Sequence, residues 1–171
     1  RSRYFEQPQP FFKQLAQSGQ SPKVMVVACC DSRVDPAIIT DSDPGDLFVV
    51  RNVANLVPPY ETGGGYHGTS AALEFAVRIL DVKHIIIFGH AHCGGIGALL
   101  DGIPADHSSG QFISSWMTIA ADARKRVMAS LSSAPRTVQE RACEHAAIEM
   151  SLQNLLTFPW IRERVESGTL Q

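Results

Sequence analysis

Residues 24–33 read VMVVACCDSR and residues 84–95 read HIIIFGHAHCGG, and these two stretches decide the fold. Each begins with a run of apolar, mostly β-branched residues, which is typical of a buried strand in a parallel sheet. Each run leads directly into cysteine or histidine residues. Because open α/β sheets place their ligands at the carboxyl ends of strands, we expect these side chains to share one edge of the sheet.

The apolar runs predict a small, mostly parallel α/β sheet flanked by helices, with strands near residues 23–29, 46–51 and 82–89. Residues 68–80 predict a crossover helix between the second and third strands. Its apolar residues recur at helical spacing: Ala71, Leu73, Phe75, Ala76 and Ile79. The order strand, helix, strand implies right-handed parallel βαβ units.

Further helices are predicted over residues 94–100, 112–131, 137–156 and 159–166. Aromatic and apolar residues among polar ones predict an amphipathic N-terminal helical arm over residues 3–19, interrupted by Pro8 and Pro10. This arm either packs on its own subunit or wraps a partner subunit.

The chain of 171 residues suits a single domain, 1–171. A net charge of -2 offers no basic face for nucleic acid or an anionic membrane, and no apolar run reaches the roughly 18 residues of a membrane span. Four cysteines in a chain of this size do not indicate a disulfide scaffold. Reduced thiols suit the cytoplasm, or an organellar stroma if an upstream targeting segment was removed.

Cys29, His90 and Cys93 form a set of zinc ligands that leaves one tetrahedral position open. Thiolate sulfur and imidazole nitrogen are ligands that zinc favours, and an open fourth position distinguishes a catalytic zinc from a structural one. Each residue alone is better explained as core or as a hydrogen-bonded polar group. Together, at neighbouring strand ends, they predict a zinc site, with His92 as the alternative to His90.

Asp31 and Arg33 follow Cys29 closely and are candidates for acid–base work beside the metal. Two thiolates donate charge to zinc, so a bound water needs help to lose its proton. Asp31 can accept a hydrogen bond from that water, and Arg33 can hold Asp31 in place and keep it ionised. The alternative is a loop salt bridge with no catalytic role.

The motif Cys-x-Asp-Ser-Arg at residues 29–33, followed by His-x-x-Cys-Gly-Gly at residues 90–95, resembles the β-class carbonic anhydrases. Residues 51–60 (RNVANLVPPY) and 18–23 (SGQSPK) resemble the plant-like branch of that family. The resemblance covers nearly the whole chain.

The resemblance implies reversible, zinc-dependent hydration of CO2 to bicarbonate and a proton, with zinc-bound hydroxide as the nucleophile. It implies one zinc per chain, held by Cys29, His90 and Cys93, with Asp31 and Arg33 as the dyad beside it. In the family's closed form, Asp31 itself becomes the fourth ligand. A homodimer or higher homo-oligomer is also implied.

The family's substrate pocket corresponds here to Gln20, Phe48, Val53, Phe75 and Gly94. It straddles a dimer interface, so some of these residues would serve the partner's zinc. Phe75 stands where the plant-like pattern often has Tyr, so a pocket hydroxyl is missing. The family also continues with a further strand beside the third one, and this C-terminal edge strand is expected to be missing here.

Two other functions remain open from the sequence. The first is a related zinc hydrolase that acts on carbon disulfide or carbonyl sulfide. The second is a non-catalytic, zinc-stabilised module whose site is closed by Asp31.

Overall fold

The computed structural model describes residues 11–63, 65–102 and 111–171. Of the predicted arm over residues 3–19, the first part lies outside the described residues and the remainder contains the first helix. In chain order the elements are α1 (Phe11–Ser18), β1 (Val24–Cys29), α2 (Pro36–Thr40), β2 (Leu47–Asn52), α3 (Gly68–Glu74), β3 (His84–Phe88), α4 (Gly94–Asp101), α5 (Gln111–Met117), α6 (Ala121–Leu131), α7 (Arg136–Leu155) and α8 (Pro159–Glu166).

The three strands form one parallel sheet in the order β2-β1-β3, which confirms the predicted fold class. β1 lies in the middle and is almost entirely buried, as its uninterrupted apolar sequence predicts. Cys29 pairs with Asn52 and Ala28 pairs with Phe88, so the strands end together. The chain segments that leave this edge of the sheet therefore lie side by side.

The predicted crossover helix is α3 continued by one π-helical turn at Phe75–Ile79. Leu73 and Ala76 are buried, whereas Phe75 and Ile79 are 43% and 66% exposed. In a π turn the hydrogen bond spans five residues instead of four, which shifts the buried face along the sequence. With Ala71, which is also exposed, three of the five apolar residues at helical spacing lie outside the core.

The helix predicted over residues 112–131 is divided into α5 and α6 by a 3-10 turn at Thr118–Ala120. Ala120 leaves helical geometry, with φ -100° and ψ 12°. The break lets both segments pack into the same core, where Met117 and Ala123 are buried. The helices predicted over residues 137–156 and 159–166 correspond to α7 and α8 within one residue at each end.

Buried apolar side chains form two clusters that α7 connects. One contains Cys29 and Cys93 with residues of α4, α6 and α7, and the other contains Met25 with residues of α3 and α8. Cys143 of α7 belongs to the first cluster and Leu155 to the second. The two cysteines at the sheet edge are therefore part of the core.

The outer edge of β3 is paired at one position. Gln171 donates its N–H to the Lys83 carbonyl (3.0 Å) and accepts from the Ile85 N–H (2.8 Å), which is the pattern of a parallel bridge. Among the described residues the sheet has no fourth strand. The single domain over residues 1–171 and the missing edge strand stay predictions.

The turn after β2 has two consecutive residues in the left-handed region, Ala54 (φ 63°) and Asn55 (φ 47°). Both are buried. The Asn52 side chain holds the turn: its Nδ2 donates to the Leu56 carbonyl and its Oδ1 accepts from the Leu56 N–H, both at 2.9 Å. These bonds offset the strain of the two positive φ angles.

The first turn of α4 packs directly against the turn after β2. Substitution of a glycine at this contact tests the packing. A Cβ at Gly95 would lie 2.9 Å from Val53 Cγ1 and 3.2 Å from Ala54 Cβ, whereas a Cβ at Gly94 would meet nothing within 4 Å. We expect Gly95→Ala to lower the free energy of unfolding of the metal-free protein by about 1–3 kcal/mol, the usual cost of overpacking. Gly94→Ala is the matched control, with an expected change within about 0.5–1 kcal/mol. Equal denaturant midpoints for the two variants would contradict this packing.

Candidate metal centre

Three possible metal ligands converge at the carboxyl edge of the sheet. Cys29 ends β1, His90 follows β3 by two residues, and Cys93 directly precedes α4. Their ligand atoms all lie within 4.8 Å of one another, and the two Sγ atoms are 4.0 Å apart. Both cysteines are 5% exposed and the His90 side chain is 7% exposed. The parts of the chain that the structure describes contain no second group of this kind.

The hydrogen bonds of His90 determine which ring nitrogen can bind a metal. Its Nδ1 lies 2.9 Å from the Ala91 carbonyl oxygen, which can only accept, so Nδ1 carries the proton. Nε2 then presents a lone pair, and this buried atom has no hydrogen-bond partner among the residues that the structure describes. A buried polar atom without a partner is costly, and a metal ion would remove that cost.

The two sulfurs also fit a tetrahedral metal. Two zinc–sulfur bonds of about 2.3 Å at a tetrahedral angle place the sulfurs about 3.8 Å apart, close to the distance here. Burial, with a smaller contribution from charge on Cys29, raises the pKa of Cys93 to about 11. A dication would favour both thiolates instead. The donor set therefore suits zinc.

Asp31 and Arg33 form a closely paired dyad beside the ligands. Asp31 Oδ1 accepts from the Arg33 N–H (3.0 Å) and Nε (2.9 Å), and Oδ2 accepts from Nη2 (2.7 Å). These bonds hold the pKa of Asp31 well below its usual range. Asp31 Oδ2 is 3.9 Å from His90 Nε2, so the carboxylate reaches the ligand group.

Arg51, which was not among the predicted site residues, holds the loop that carries Cys29 and Asp31. Its Nε donates to the Cys29 carbonyl (2.9 Å), its Nη2 to the Asp31 carbonyl (2.6 Å) and its Nη1 to the Asp35 carboxylate (3.0 Å). Asp35 in turn accepts from the N–H groups of the first turn of α2. In the sequence, the feature that could have indicated this role is a lone arginine near the end of the apolar run of β2.

Glu144 on α7 was also not among the predicted site residues. It is 9% exposed, and its Oε1 accepts from the backbone N–H of Cys93 at 3.0 Å. The feature that could have indicated its role is a carboxylate next to Cys143, in the stretch of α7 that packs into the core. The distance along the chain from Cys93 hides this contact from any local pattern.

His92, the alternative ligand, is not part of the ligand group. Its side chain is 72% exposed, and its Nδ1 lies 3.9 Å from Glu140 Oε2. Its backbone is left-handed (φ 55°), and its carbonyl accepts from Arg33 Nη2 at 3.0 Å. The structure thus favours His90 as the ligand and gives His92 a backbone contact.

The predicted pocket residues lie at two separate places. Gly94 and Val53 are beside Cys93, because Gly94 begins α4 and the next residue packs on Val53. Phe48 pairs with Met25, which precedes Cys29 by four residues, or about 13 Å of strand. Phe75 stacks on Phe48 with ring centroids 5.8 Å apart. Gln20 precedes β1 and is exposed at the opposite edge of the sheet.

The comparisons with known proteins agree with this geometry. A sequence profile described as carbonic anhydrase matches residues 24–171. Over 159 residues the chain is 45% identical to beta carbonic anhydrase 5, chloroplastic, of Arabidopsis thaliana, covering 93% of this chain and 52% of that protein. The chain belongs to the β-carbonic anhydrase family. Beta carbonic anhydrase 6, mitochondrial, of the same plant is 42% identical over 160 residues, covering 94% of this chain and 54% of that protein. The chain therefore spans about half the length of these curated relatives.

Solved β-carbonic anhydrase structures share the fold. The β-carbonic anhydrase CcaA superimposes with a TM-score of 0.89 at 35% identity, covering 98% of this chain and 80% of that one. A tetrameric β-carbonic anhydrase of Sordaria macrospora gives a TM-score of 0.81 at 32% identity, covering 96% and 79% of the two chains.

The predicted cytoplasmic location is wrong. The two curated relatives are named chloroplastic and mitochondrial, and both names are organellar. Within the described ranges, no helix combines the length and the apolar character needed to cross a bilayer.

The different burial of the cysteines predicts their reactivity. Cys30 is exposed, whereas Cys143 is 0% exposed and burial raises its pKa to about 11. Because the thiolate is the reactive form, we expect iodoacetamide at mildly alkaline pH to label Cys30 first and Cys143 only after unfolding. Peptide mass spectrometry with and without denaturant measures this order. Labelling of Cys143 as fast as Cys30 in the folded protein would contradict the buried position.

Proposed function

We propose that this protein is a zinc-dependent carbonic anhydrase that interconverts CO2 with bicarbonate and a proton. The observation that carries the proposal is the buried, unpartnered Nε2 of His90, which lies close to two buried thiols and an Asp–Arg pair. The relatives named as carbonic anhydrases support the same reaction. An organellar location, which the plant relatives have by name, is part of the proposal.

Cys29, His90 and Cys93 would hold the zinc ion. Bound zinc lowers the pKa of a water molecule and so supplies a nucleophile for CO2 near neutral pH. The Nδ1–H bond to the Ala91 carbonyl keeps Nε2 available in the correct tautomer. The core around both cysteines keeps their sulfurs in place.

Asp31 would accept a hydrogen bond from the attacking water and orient it. Its lowered pKa keeps the carboxyl group ionised, and therefore an acceptor, through the whole neutral and alkaline range. Three hydrogen bonds from Arg33 hold Asp31 away from direct metal ligation. This pairing supports an open site over the closed, purely structural alternative.

Gly94 and Val53 would shape the substrate pocket next to the metal. Gly94 begins α4, so its N–H lies in the first turn, and the positive end of the helix favours an anion such as bicarbonate. Val53 is partly exposed and offers apolar surface to CO2.

A second copy of the chain would complete the site. Gln20, Phe48 and Phe75 lie far from the ligand group of their own chain, yet the family places the corresponding residues in the pocket. A two-fold dimer would bring these residues of one copy to the metal of the other. The tetrameric relative shows that members of the family associate.

Exposed apolar surface supports this assembly. Phe112 is 88% exposed, and with Tyr66 and Trp116 it lines a groove of about 1370 Å³ that extends to Val53. Large exposed apolar surfaces of this kind mark contacts between proteins.

The zinc site is tested by ligand substitution. We expect about one zinc per chain and CO2 hydration that increases from neutral to alkaline pH, whereas Cys29→Ser should lose most of both because the sulfur ligand is gone. Cys30→Ser, at the adjacent exposed residue, is the matched control and should keep both. Metal analysis and stopped-flow CO2 hydration measure the two quantities. Unchanged zinc content in Cys29→Ser, or no activity in the zinc-loaded protein at alkaline pH, would overturn the proposal.

The shared pocket is tested by mixing two defective variants. Cys93→Ser lacks a metal ligand, and Gln20→Ala lacks a pocket residue of the other copy. After random reassociation of equal amounts, half of the dimers are mixed and each contains one intact site, so about a quarter of all sites should regain full activity. Activity no higher than the mean of the two separate variants would contradict a site built from two copies.

A further inference from the structure

The peptide group that joins His92 to Cys93 is held at both ends by charged side chains. Its carbonyl accepts from Arg33 Nη2 at 3.0 Å, and its N–H donates to Glu144 Oε1 at 3.0 Å. Arg33 comes from the loop after β1 and Glu144 comes from α7, so two distant parts of the chain fix one peptide. The nitrogen of this peptide belongs to Cys93, so the position of the peptide affects that residue directly.

The orientation of this peptide depends on the left-handed conformation of His92. A non-glycine residue at φ 55° is strained and persists only where its surroundings determine it. The positive end of the peptide dipole, the N–H, faces a carboxylate, and the negative end, the carbonyl, faces a guanidinium. Both charged contacts therefore favour the same orientation and oppose rotation of the peptide.

Glu144 makes this contact from a largely buried position. It is 9% exposed and lies on α7 next to Cys143, which is fully buried. A carboxylate in such surroundings is unfavourable unless donors satisfy it, and the Cys93 N–H is such a donor. A residue that served only to pack α7 against the core would not need a charge.

We propose that Glu144 is a positioning residue for the metal centre. It fixes the His92–Cys93 peptide, and through that peptide it sets the direction of the Cys93 sulfur and the place of Arg33. Arg33 in turn holds Asp31, so the bonds run without a break from Glu144 to the dyad. The inference rests on the proposed function, because it assigns Glu144 a role in a metal site.

The first experiment examines the contact in the metal-free protein. We expect the Cys93 amide proton to resonate at unusually low field and to exchange slowly, and both features to weaken in Glu144→Gln, where a neutral amide oxygen replaces the carboxylate. Glu140→Gln is the matched control. It removes a carboxylate one turn earlier on α7, which lies near the His92 side chain and pairs with Arg136. An unchanged Cys93 amide in Glu144→Gln, or an equal change in Glu140→Gln, would overturn the proposal.

The second experiment measures metal retention. We expect zinc to transfer to a competing chelator about tenfold faster from Glu144→Gln than from the wild type, and faster still from Glu144→Ala, because loss of an outer-shell partner commonly costs 10–100-fold in affinity. Glu140→Gln should release zinc at the wild-type rate. The cobalt-substituted Glu144→Gln protein should also show displaced d–d bands, which a loss of stability alone would not produce. Wild-type release and bands in Glu144→Gln would overturn the proposal even if Glu144→Ala fails to fold.

The third experiment tests whether Glu144 acts on the dyad through the peptide. Arg33→Lys and Glu144→Gln alter two different hydrogen bonds of the His92–Cys93 peptide. We nevertheless expect their effects on zinc release to be non-additive, with the double variant less impaired than the product of the two single effects. Strict multiplication of the two effects would overturn the link to Arg33. A wild-type protein that binds no zinc would instead overturn the proposed function, which keeps the two failures distinct.

Discussion

Parallel pairing of β1 with both of its neighbours is the constraint on which the metal centre depends. Parallel strands end at the same edge, so loops that are distant in sequence leave the sheet side by side. Cys29 stands opposite Asn52, and Ala28 stands opposite Phe88, two residues before His90. A register shift of one residue would turn Cys29 to the other face of the sheet. The 4.0 Å between the two sulfurs is therefore a property of strand burial and register, and not of the loops alone.

The centre brings together groups that are unfavourable separately. An imidazole nitrogen without a partner among the described residues and a left-handed His92 each cost folding free energy, and burial opposes ionisation of the Cys93 thiol. The remainder of the core has to offset that cost in the metal-free chain. An ion that binds this arrangement and not the unfolded chain would shift the folding equilibrium toward the native state. The same groups that weaken the empty fold thus provide its affinity for a metal.

Local sequence patterns were sufficient for the strands, most of the helices and the grouping of the three candidate ligands, because each contains an apolar run or a residue type that zinc prefers. They were insufficient where the decisive contact joins distant residues. Arg51 and Glu144 bind backbone groups of the loops that carry the candidate ligands, and their local sequence does not identify these distant partners. The π-helical turn at Phe75–Ile79 is likewise a consequence of packing, since residues that read as one helical face divide between the core and the surface.

The predicted pocket residues are separated within one chain, and this separation affects how the proposed enzyme would work. Cys29 and Gln20 flank opposite ends of β1, and a strand is too rigid and too long to bring them together within one chain. In the proposed assembly, the stack of the exposed Phe75 on the partly buried Phe48 contributes apolar surface to association and a wall to the partner's pocket at once. Substrate binding and subunit association then draw on the same side chains. A dissociated subunit would keep its metal ligands, which are all local to one sheet edge, while it lost the pocket that makes them useful.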